Sequence, residues 1–332
     1  MNIEERKDLL VALGNYLRTG NAEWESVKQR ANVENPWFTP EFIDLAVKNI
    51  TDNFLQPDQL QLLIDKYNLA EEHRDPKKVG IVMAGNIPLV GFHDLLCVFI
   101  TGHICVIKPS SKDKHLVEHV VKKMIELDQK AQEFLFIREM LKNCDAYIAT
   151  GSNNSARYFE YYFRNVPHII RRNRTSVAVL TGSETSAELE SLADDVHLYF
   201  GLGCRNVTKI FVPEHYDFVP LLNAFKKYNY FTNHNKYKNN YDYNLAVHIL
   251  NKKYYMTNDS ILLIEDESPF SPISQLHYQY YKNMNEVNES LANDERIQCV
   301  VSQKHYRFGE AQSPEICTYS DDVDTIQFLL QL

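Results

Sequence analysis

The residue best suited to covalent chemistry is Cys204, which lies in the stretch YFGLGCRNVTKIFVP over residues 199–213. As a thiolate, a cysteine can attack a carbonyl carbon and hold the acyl group as a thioester. Gly201 and Gly203 precede it and Arg205 follows it, so we expect the backbone to bend and present the thiol in a cleft. The alternative interpretation is a small buried side chain, the commoner state of a free cysteine.

Three other polar residues end short apolar runs typical of strands: Asn86 after KVGIVMAG, Lys108 after HICVI and Ser152 after DAYIATG. An asparagine amide there can donate to a developing oxyanion, and a lysine ammonium can reach a cofactor ribose or phosphate. Gly151 permits close backbone approach, and Ser152 would begin a helix, where free N–H groups favour anions. Each residue also has a purely structural interpretation, as a turn asparagine, a solvated lysine and a helix N-cap.

An alternation of strands and helices must position these residues. Between the apolar strands, helices are predicted over LVGFHDLLCVFITG, SKDKHLVEHVVKKMIEL, QEFLFIREMLKNC and SARYFEYYFRN. The alternation predicts an α/β fold with a doubly wound parallel sheet. Ligands bind such sheets at the carboxyl ends of the strands, where the three polar residues fall.

Other stretches are assigned from the same patterns. The N-terminal part is helical, with Thr39 as an N-cap followed by Pro40 in the first turn. DSILLIEDESPFSPI is predicted to be a strand that leads into an acidic loop, and TNHNKYKNNYDYN a surface loop. On or near the buried side of SARYFEYYFRN we expect three tyrosines, Tyr158, Tyr161 and Tyr162.

The composition argues against several kinds of partner. A net charge of −9 and an isoelectric point near 5.8 disfavour nucleic-acid binding. No apolar stretch approaches membrane-spanning length, and the N-terminal segment lacks the apolar core of a signal peptide. The six cysteines fall in no zinc-binding spacing, so no metal site is expected and reduced thiols are predicted. Together these features predict a cytoplasmic protein.

The order of the polar groups is strand–Asn–x–Pro, strand–Lys–Pro, strand–Thr–Gly–Ser–helix and then Gly-x-Gly-Cys before a strand. This order resembles the aldehyde dehydrogenase superfamily. Within it, GNIPLVGFHDLLCVFITGHICVIKPSSKD and ATGSNNSARYFEYYF are most similar to acyl-CoA reductases of the LuxC type, with residues 78–213 matching well and 261–332 loosely. The resemblance implies N-terminal helices and a nucleotide-binding domain over 1–182, then a second α/β catalytic domain with the C-terminal tail over 183–332.

The resemblance also implies roles for individual residues. Cys204 matches the nucleophile and Asn86 the oxyanion-hole asparagine, with the Cys204 backbone N–H as second donor. Lys108 matches the lysine that holds the adenosine ribose, and Gly151 with Ser152 matches the phosphate-binding pair.

Cofactor selectivity is inferred from one further position. Ser110 lies near the place where many NAD-selective members carry a glutamate that opposes a 2′-phosphate. A small hydroxyl there would admit NADP, so NADPH is the expected cofactor and NADH the alternative. The Glu–Phe–Gly–Pro element that holds the nicotinamide ribose is echoed by ESPFSPI, which makes Glu267 an expected cofactor contact displaced by one position.

One departure bears on the reaction. Superfamily members that hydrolyse a thioester carry a glutamate base where this chain has HIIRRNRTSVAVL, with Arg171, Arg172 and Arg174 and no carboxylate. Without that base, water at the acyl-enzyme should be poorly activated. The arginines could attract the phosphates of CoA or form an exposed polar edge.

The implied activity is an acyl-CoA (fatty acyl thioester) reductase that makes an aldehyde through an acyl-cysteine, with hydride from NADPH. Its substrate would be an acyl-CoA or an acyl-protein thioester, and an acyl-transfer protein partner and a homo-oligomer are both compatible with it. Two alternatives stay open from the sequence: an NAD-dependent aldehyde dehydrogenase, and a non-catalytic LuxC-like binding subunit.

Overall fold

The first sheet is built from short apolar strands in the computed structural model, which describes residues 1–73 and 75–332. The strands are β1 Lys78–Val82, β2 Ile104–Lys108, β3 Leu135–Ile137, β4 Ala146–Thr150 and β5 His168–Arg171. They pair in the order β3-β2-β1-β4-β5, and every neighbouring pair is parallel. The predicted α/β class with parallel sheets is therefore confirmed.

The helices around this sheet begin and end at residues suited to capping. The Thr39 hydroxyl accepts the backbone N–H of Phe42 at 3.3 Å, with Pro40 in the first turn, which confirms the predicted N-cap. Gly102 has a φ of +87° and follows the helix that carries LLCVFI, as expected of a helix-ending glycine. The helices are α1 Ile3–Arg18, α2 Ala22–Glu34, α3 Pro40–Asn53, α4 Pro57–Tyr67, α5 Phe92–Ile100, α6 Lys114–Leu127 and α7 Asn153–Phe163.

The second sheet contains the strands β6 Thr175–Val179, β7 Val207–Pro213, β8 Met256–Thr257, β9 Leu262–Glu265, β10 Gln275–Tyr281 and β11 Ile297–Val301. Their order is β11-β6-β7-β10-β9-β8, parallel except for the short antiparallel edge strand β8. The accompanying helices are α8 Ser186–His197, α9 Phe218–Ala224, α10 Asn235–Leu250 and α11 Met284–Ala292. Within residues 1–73 and 75–332, no helix combines the length and apolarity needed to cross a bilayer.

The chain divides into a first unit of residues 1–173 with 314–332 and a second unit of residues 174–313. The division expected from the sequence, at 182 and with the C-terminal tail in the second domain, differs at both points. Residues 175–179 pair with β7 and β11 of the second sheet, so the second unit begins earlier. The tail returns to the first unit, where Ile316, Ile326 and Leu329 are buried in the same apolar core as α5.

A buried ion pair anchors this returning tail. Arg171, at the end of β5, is only 3% exposed and donates to the Asp94 carboxylate of α5 at 2.8 Å. The same guanidinium donates to the Thr325 hydroxyl at 2.8 Å and to the Ser320 carbonyl at 2.6 Å. Because its guanidinium is buried and both terminal nitrogens donate inside the core, Arg171 is not a surface group that could attract CoA phosphates. Arg172, by contrast, is exposed and pairs with Glu160.

Two local predictions were wrong. Residues 132–144 do not form a helix: a 3₁₀ turn over Gln129–Glu133 leads into β3, which pairs with the edge of β2 through Cys105 and Leu135. The polar stretch 232–244, expected to be a surface loop, largely belongs to helix α10. Its buried positions Tyr237, Tyr241 and Asn244 recur at helical spacing, and Asn244 is satisfied by donating to the Ile273 carbonyl at 3.1 Å.

The positions predicted for three tyrosines of α7 were also wrong. They are exposed, because the buried positions of this helix are Ala156 and Phe163 and its tyrosines face the other way. The exposed fractions are 67% for Tyr158, 62% for Tyr161 and 71% for Tyr162.

We predict that Arg171→Met lowers the free energy of unfolding by about 3–5 kcal/mol, because it leaves the Asp94 carboxylate buried without its cation. Urea denaturation followed by far-UV circular dichroism measures the change. Arg172→Met is the control and should cost less than about 1 kcal/mol, since that ion pair is exposed. Equal stabilities of the two variants would show that the buried pair does not hold the tail.

Candidate active site

The candidate residues of the first unit gather at one edge of its sheet. Asn86 follows β1, Lys108 ends β2, and Gly151 with Ser152 follows β4. These strands are neighbours in the order β2-β1-β4 and run parallel, so their carboxyl ends lie side by side. In α/β proteins, ligands bind to the loops at this edge of the sheet.

The loops after β1 and β2 are packed tightly together. A Cβ atom at Gly85 would lie 2.6 Å from the Ser110 hydroxyl oxygen, so no larger residue fits there. The Met83 backbone N–H donates to the Lys108 carbonyl at 3.0 Å. Asn86 and Ser110 therefore lie on loops that contact each other.

Ser152 caps α7, as its structural interpretation predicted: its hydroxyl accepts the Ser155 backbone N–H at 3.3 Å. Gly151 is closely packed, since a Cβ atom there would lie 2.9 Å from the Ser155 Cβ. Ser152 and Asn153 are exposed at the start of the helix. The first turn can thus present backbone N–H groups to an anion, although the capping hydroxyl already occupies one of them.

In the second unit, an unusual turn carries Cys204. Tyr199, Phe200 and Gly201 have φ values of 55°, 56° and 74°, a run of left-handed residues that is unfavourable for the two aromatic side chains. Both aromatic rings are 4% exposed. The following turn closes with the Asn206 backbone N–H donating to the Gly203 carbonyl at 3.1 Å, and Cys204 is half-buried at its corner.

The Asn206 side chain holds this turn in place from a fully buried position. Its oxygen accepts the Gly203 N–H at 2.8 Å, and its amide nitrogen donates to the carbonyls of Leu198 at 2.8 Å and Asp195 at 3.0 Å. The Ser176 hydroxyl of β6 adds a bond to the Cys204 carbonyl at 3.1 Å. One amide therefore ties the end of α8 to the cysteine turn.

Arg205 brings a positive charge next to the thiol. It is 9% exposed, donates to the Cys299 sulfur at 3.1 Å, and lies over the Tyr306 ring at 5.8 Å from its centroid. Burial alone would lower the pKa of Arg205, but the charges of Cys299 and Cys204 more than offset it and the pKa is raised. Of the two sulfur atoms, that of Cys299 has the larger effect, and it also accepts the hydrogen bond from Arg205.

His197 ends α8 just before the left-handed turn. It is 2% exposed, and its Nδ1–H donates to the Ala193 carbonyl at 2.8 Å while its ring stacks on Tyr228 at 4.7 Å. Nε2 has no hydrogen-bond partner among the described residues. Burial therefore lowers the pKa of His197 to about 4, because a second proton would add an unpaired charge inside an aromatic cluster.

Glu267 lies in the segment 266–274 that connects β9 to β10. Its side chain is exposed and its carbonyl accepts from the buried Lys209 ammonium at 2.6 Å. The Pro269 carbonyl accepts from the Thr208 hydroxyl at 2.5 Å, so the segment returns along the sheet towards the start of β7. Farther along the segment, Ser271 and Pro272 line the same narrow cavity as Phe200 and Gly201 of the cysteine turn. The structure thus brings ESPFSPI and the cysteine turn together.

The supporting residues were harder to find in the sequence than the candidates themselves. Asn206 and Arg205 follow Cys204 directly, but nothing in their types distinguishes a buried amide and guanidinium from exposed ones. Lys209 gave a stronger signal, because a lysine inside the apolar strand VTKIFVP needs a partner. Within residues 1–73 and 75–332, no group of three His, Cys, Asp or Glu side chains is placed to hold a metal ion.

Similar solved structures share this architecture. Aldehyde dehydrogenase 21 from Physcomitrella patens, in complex with the reaction product succinate, has a TM-score of 0.73 at 14% identity over 100% of this chain and 84% of its own. An aldehyde dehydrogenase from Mycobacterium tuberculosis complexed with NAD⁺ has a TM-score of 0.66 at 14% identity over 91% and 73%. An NADP-dependent glyceraldehyde-3-phosphate dehydrogenase from Bacillus halodurans C-125, complexed with NADP, has a TM-score of 0.62 at 13% identity over 91% and 74%.

The fold is therefore that of the aldehyde dehydrogenases. Residues 48–220, just over half of the chain, match the family model of acyl-CoA reductase (LuxC). The chain belongs to this family, which makes it an aldehyde-related oxidoreductase. Among curated proteins, none matches it in sequence.

We predict that His197→Phe makes the protein less sensitive to acid. The folded state favours neutral His197, so its stabilising contribution is complete above the ordinary histidine pKa of about 6.5 and is lost as the pH falls towards about 4. Between pH 7 and pH 5 the wild type should lose about 2 kcal/mol more of its unfolding free energy than the variant does. Urea denaturation at both pH values measures this, with the exposed His168→Phe as control. An equal loss in wild type and His197→Phe would contradict the prediction.

We predict that Asn206→Asp destabilises the cysteine turn. A carboxylate can accept the Gly203 N–H but cannot donate to the carbonyls of Leu198 and Asp195, so the free energy of unfolding should fall by about 3 kcal/mol. The added negative charge should also raise the pH midpoint of iodoacetamide alkylation at Cys204 by about one unit. Alkylation of Cys317 in the same protein is the internal control. A variant with wild-type stability and midpoint would refute the role of Asn206.

Proposed function

We propose that this protein reduces an acyl thioester, such as an acyl-CoA, to an aldehyde through an acyl-cysteine at Cys204. The observation that carries the proposal is the half-buried Cys204 on a tight turn beside the buried Arg205 guanidinium. Such a setting favours a thiolate that is still accessible to substrate. Membership of the acyl-CoA reductase (LuxC) family supports the acyl thioester as substrate.

The residues of the chain account for the covalent steps. The Cys204 thiolate attacks the carbonyl carbon of the substrate, and the C–S bond to CoA breaks to release the CoA thiolate, which takes up a proton. The Cys204 backbone N–H and the Asn86 amide are the proposed donors to the oxyanion in both halves of the reaction. Bound NADPH would supply hydride to the acyl carbon. The resulting thiohemiacetal collapses to the aldehyde, and Cys204 leaves as the thiolate that starts the next cycle.

The first unit supports a nicotinamide nucleotide as the cofactor. Its sheet edge offers the exposed Lys108 ammonium for ribose hydroxyls and the open start of α7, with Gly151 and Ser152, for phosphate. Solved structures of the same fold hold NAD⁺ or NADP. In the second unit, the proposed cofactor contact is Glu267, on the segment that lies beside the cysteine turn.

NADPH rather than NADH is proposed because of the charges around Ser110. Its hydroxyl accepts the Lys112 backbone N–H at 3.3 Å, and the exposed side chains of Lys108 and Lys112 flank it along the chain. Two ammonium groups would favour a 2′-phosphate, whereas a glutamate at this place would repel it.

Reduction is favoured over oxidation of an aldehyde to an acid. The residues around 171–174 supply no carboxylate to activate water. Arg171 is engaged with Asp94, and Arg174 donates to the Ile297 carbonyl at 3.3 Å. An acyl-cysteine without an activated water persists long enough to accept hydride.

We predict that wild-type protein mixed with an acyl-CoA in the absence of cofactor gains one acyl group in intact-mass spectra, and that addition of NADPH then releases aldehyde. Cys204→Ser should form no stable adduct, and its aldehyde formation should fall by at least about 10³-fold. The control is Cys317→Ser, which removes the other half-buried cysteine and should behave as wild type. Aldehyde formation by Cys204→Ser at the wild-type rate would exclude the proposal.

A further inference from the structure

The loop after β1, residues 83–91, is held at its far end by a buried carboxyl group from a different loop. Asp113, which precedes α6, is 2% exposed, and its Oδ2 accepts the Leu89 backbone N–H at 2.8 Å. Leu89 has a φ of 53°, a left-handed conformation that a leucine adopts only when its surroundings enforce it. The Leu89 carbonyl accepts the Phe92 backbone N–H of α5 at 2.9 Å, and the hydrogen bond to Asp113 ties Leu89 to a different loop.

Asp113 is itself held rigidly. Its backbone N–H donates to the Ser110 carbonyl at 3.1 Å, and Ser110 packs against Gly85 at the near end of the same loop. The loop that carries Asn86 is therefore fixed at both ends by residues 110–113: by close packing at Gly85 and by a hydrogen bond at Leu89. Asn86 lies between these two points.

We propose that Asp113 is a positioning residue that fixes the loop bearing Asn86, so that the amide is held ready to donate to the oxyanion formed at the acyl carbon. The inference rests on the proposed function for its catalytic consequence. The fixing of the loop is a property of the fold and can be measured without any activity.

A structural role confined to helix α6 does not account for this group. Asp113 lies at the start of the helix, but its side chain makes no capping bond to the first turn and reaches Leu89 instead. Its other oxygen, Oδ1, is buried without a partner among the described residues. Burial also raises the pKa of Asp113 well above the usual range, and the bond from Leu89 opposes this only in part. The substitution Asp113→Asn would keep an oxygen that accepts the Leu89 N–H, and its amide would be uncharged like the protonated form of the Asp113 carboxyl group.

The test compares Asp113→Ala, which removes the acceptor, with Asp113→Asn, which keeps it. Three quantities are measured. Hydrogen–deuterium exchange is followed in the peptide covering residues 84–91. Single-turnover mass spectrometry with an acyl-CoA gives the rate of Cys204 acylation, and fluorescence titration gives the NADPH affinity. The matched control is Asp128→Ala, which removes another acceptor of a backbone N–H, from Lys130, outside this loop.

For Asp113→Ala we expect exchange in residues 84–91 to become at least tenfold faster and acylation to slow by about 10- to 100-fold, since one oxyanion donor is worth about that much when misplaced. NADPH affinity should change less than threefold, because Ser110 and Lys108 are not held by the lost bond. Asp113→Asn should restore both exchange and acylation to within about threefold of wild type. Should Asp113→Ala not fold, Asp113→Leu, which has the same number and branching of side-chain heavy atoms and also lacks the acceptor, takes its place.

The outcomes separate the two proposals. If the wild type is acylated, two results overturn the positioning role and leave the reductase function intact. One is acylation of Asp113→Ala at the wild-type rate, and the other is equally slow acylation of Asp113→Ala and Asp113→Asn. A wild type that forms no acyl adduct overturns the proposed function, and the exchange rates alone then decide whether Asp113 fixes the loop. Unchanged exchange in Asp113→Ala overturns the inference in either case.

Discussion

The buried Asn206 amide is the contact on which the geometry around Cys204 depends. Two aromatic residues are held in left-handed backbone conformations, at about 1–2 kcal/mol each, and their rings are buried. The Asn206 side chain donates to the Leu198 and Asp195 carbonyls, which precede the left-handed turn, and accepts the Gly203 N–H next to the cysteine. The strain is thus confined to the backbone before Cys204. The positions of Cys204 and Arg205 relative to each other are fixed by the same turn. Such a relation is what a nucleophile of defined reactivity requires.

The edges of both sheets that carry the candidate residues share one feature, which is a buried polar side chain that holds the backbone of a neighbouring loop. Lys209 holds the Glu267 carbonyl in the second unit, and Asp113 holds the Leu89 N–H in the first. In each case the holding group is buried and the held segment carries the exposed or half-buried residue that would meet a ligand. Loops fixed in this way lose little conformational entropy on binding.

The sequence predicted the elements whose pattern is local and the site residues whose order is distinctive. The parallel strands and the capped helix at Thr39 follow from apolar runs and capping residues that need no knowledge of distant contacts. The strand at Leu135 and the helix that begins at Asn235 could not be predicted in this way. The strand depends on pairing with the open edge of β2, and the helix depends on buried polar side chains that find partners in other segments. Asp113 was missed because its partner Leu89 lies in a different loop 24 residues earlier, and Asn206 because its residue type does not distinguish a buried amide from an exposed one. The roles of Cys204, Asn86, Lys108, Ser110, Gly151, Ser152 and Glu267 in catalysis and cofactor binding stay predictions.

The return of residues 314–332 to the first unit affects the order in which the chain can mature during translation. Until these residues leave the ribosome, α5 lacks the apolar cover of Ile316, Ile326 and Leu329, and the Arg171–Asp94 pair lacks Thr325 and Ser320. The second unit, residues 174–313, is synthesised in full before then. Residues 1–173 therefore complete their core only after residues 174–313 have been synthesised, so part of α5 stays uncovered on the nascent chain until then.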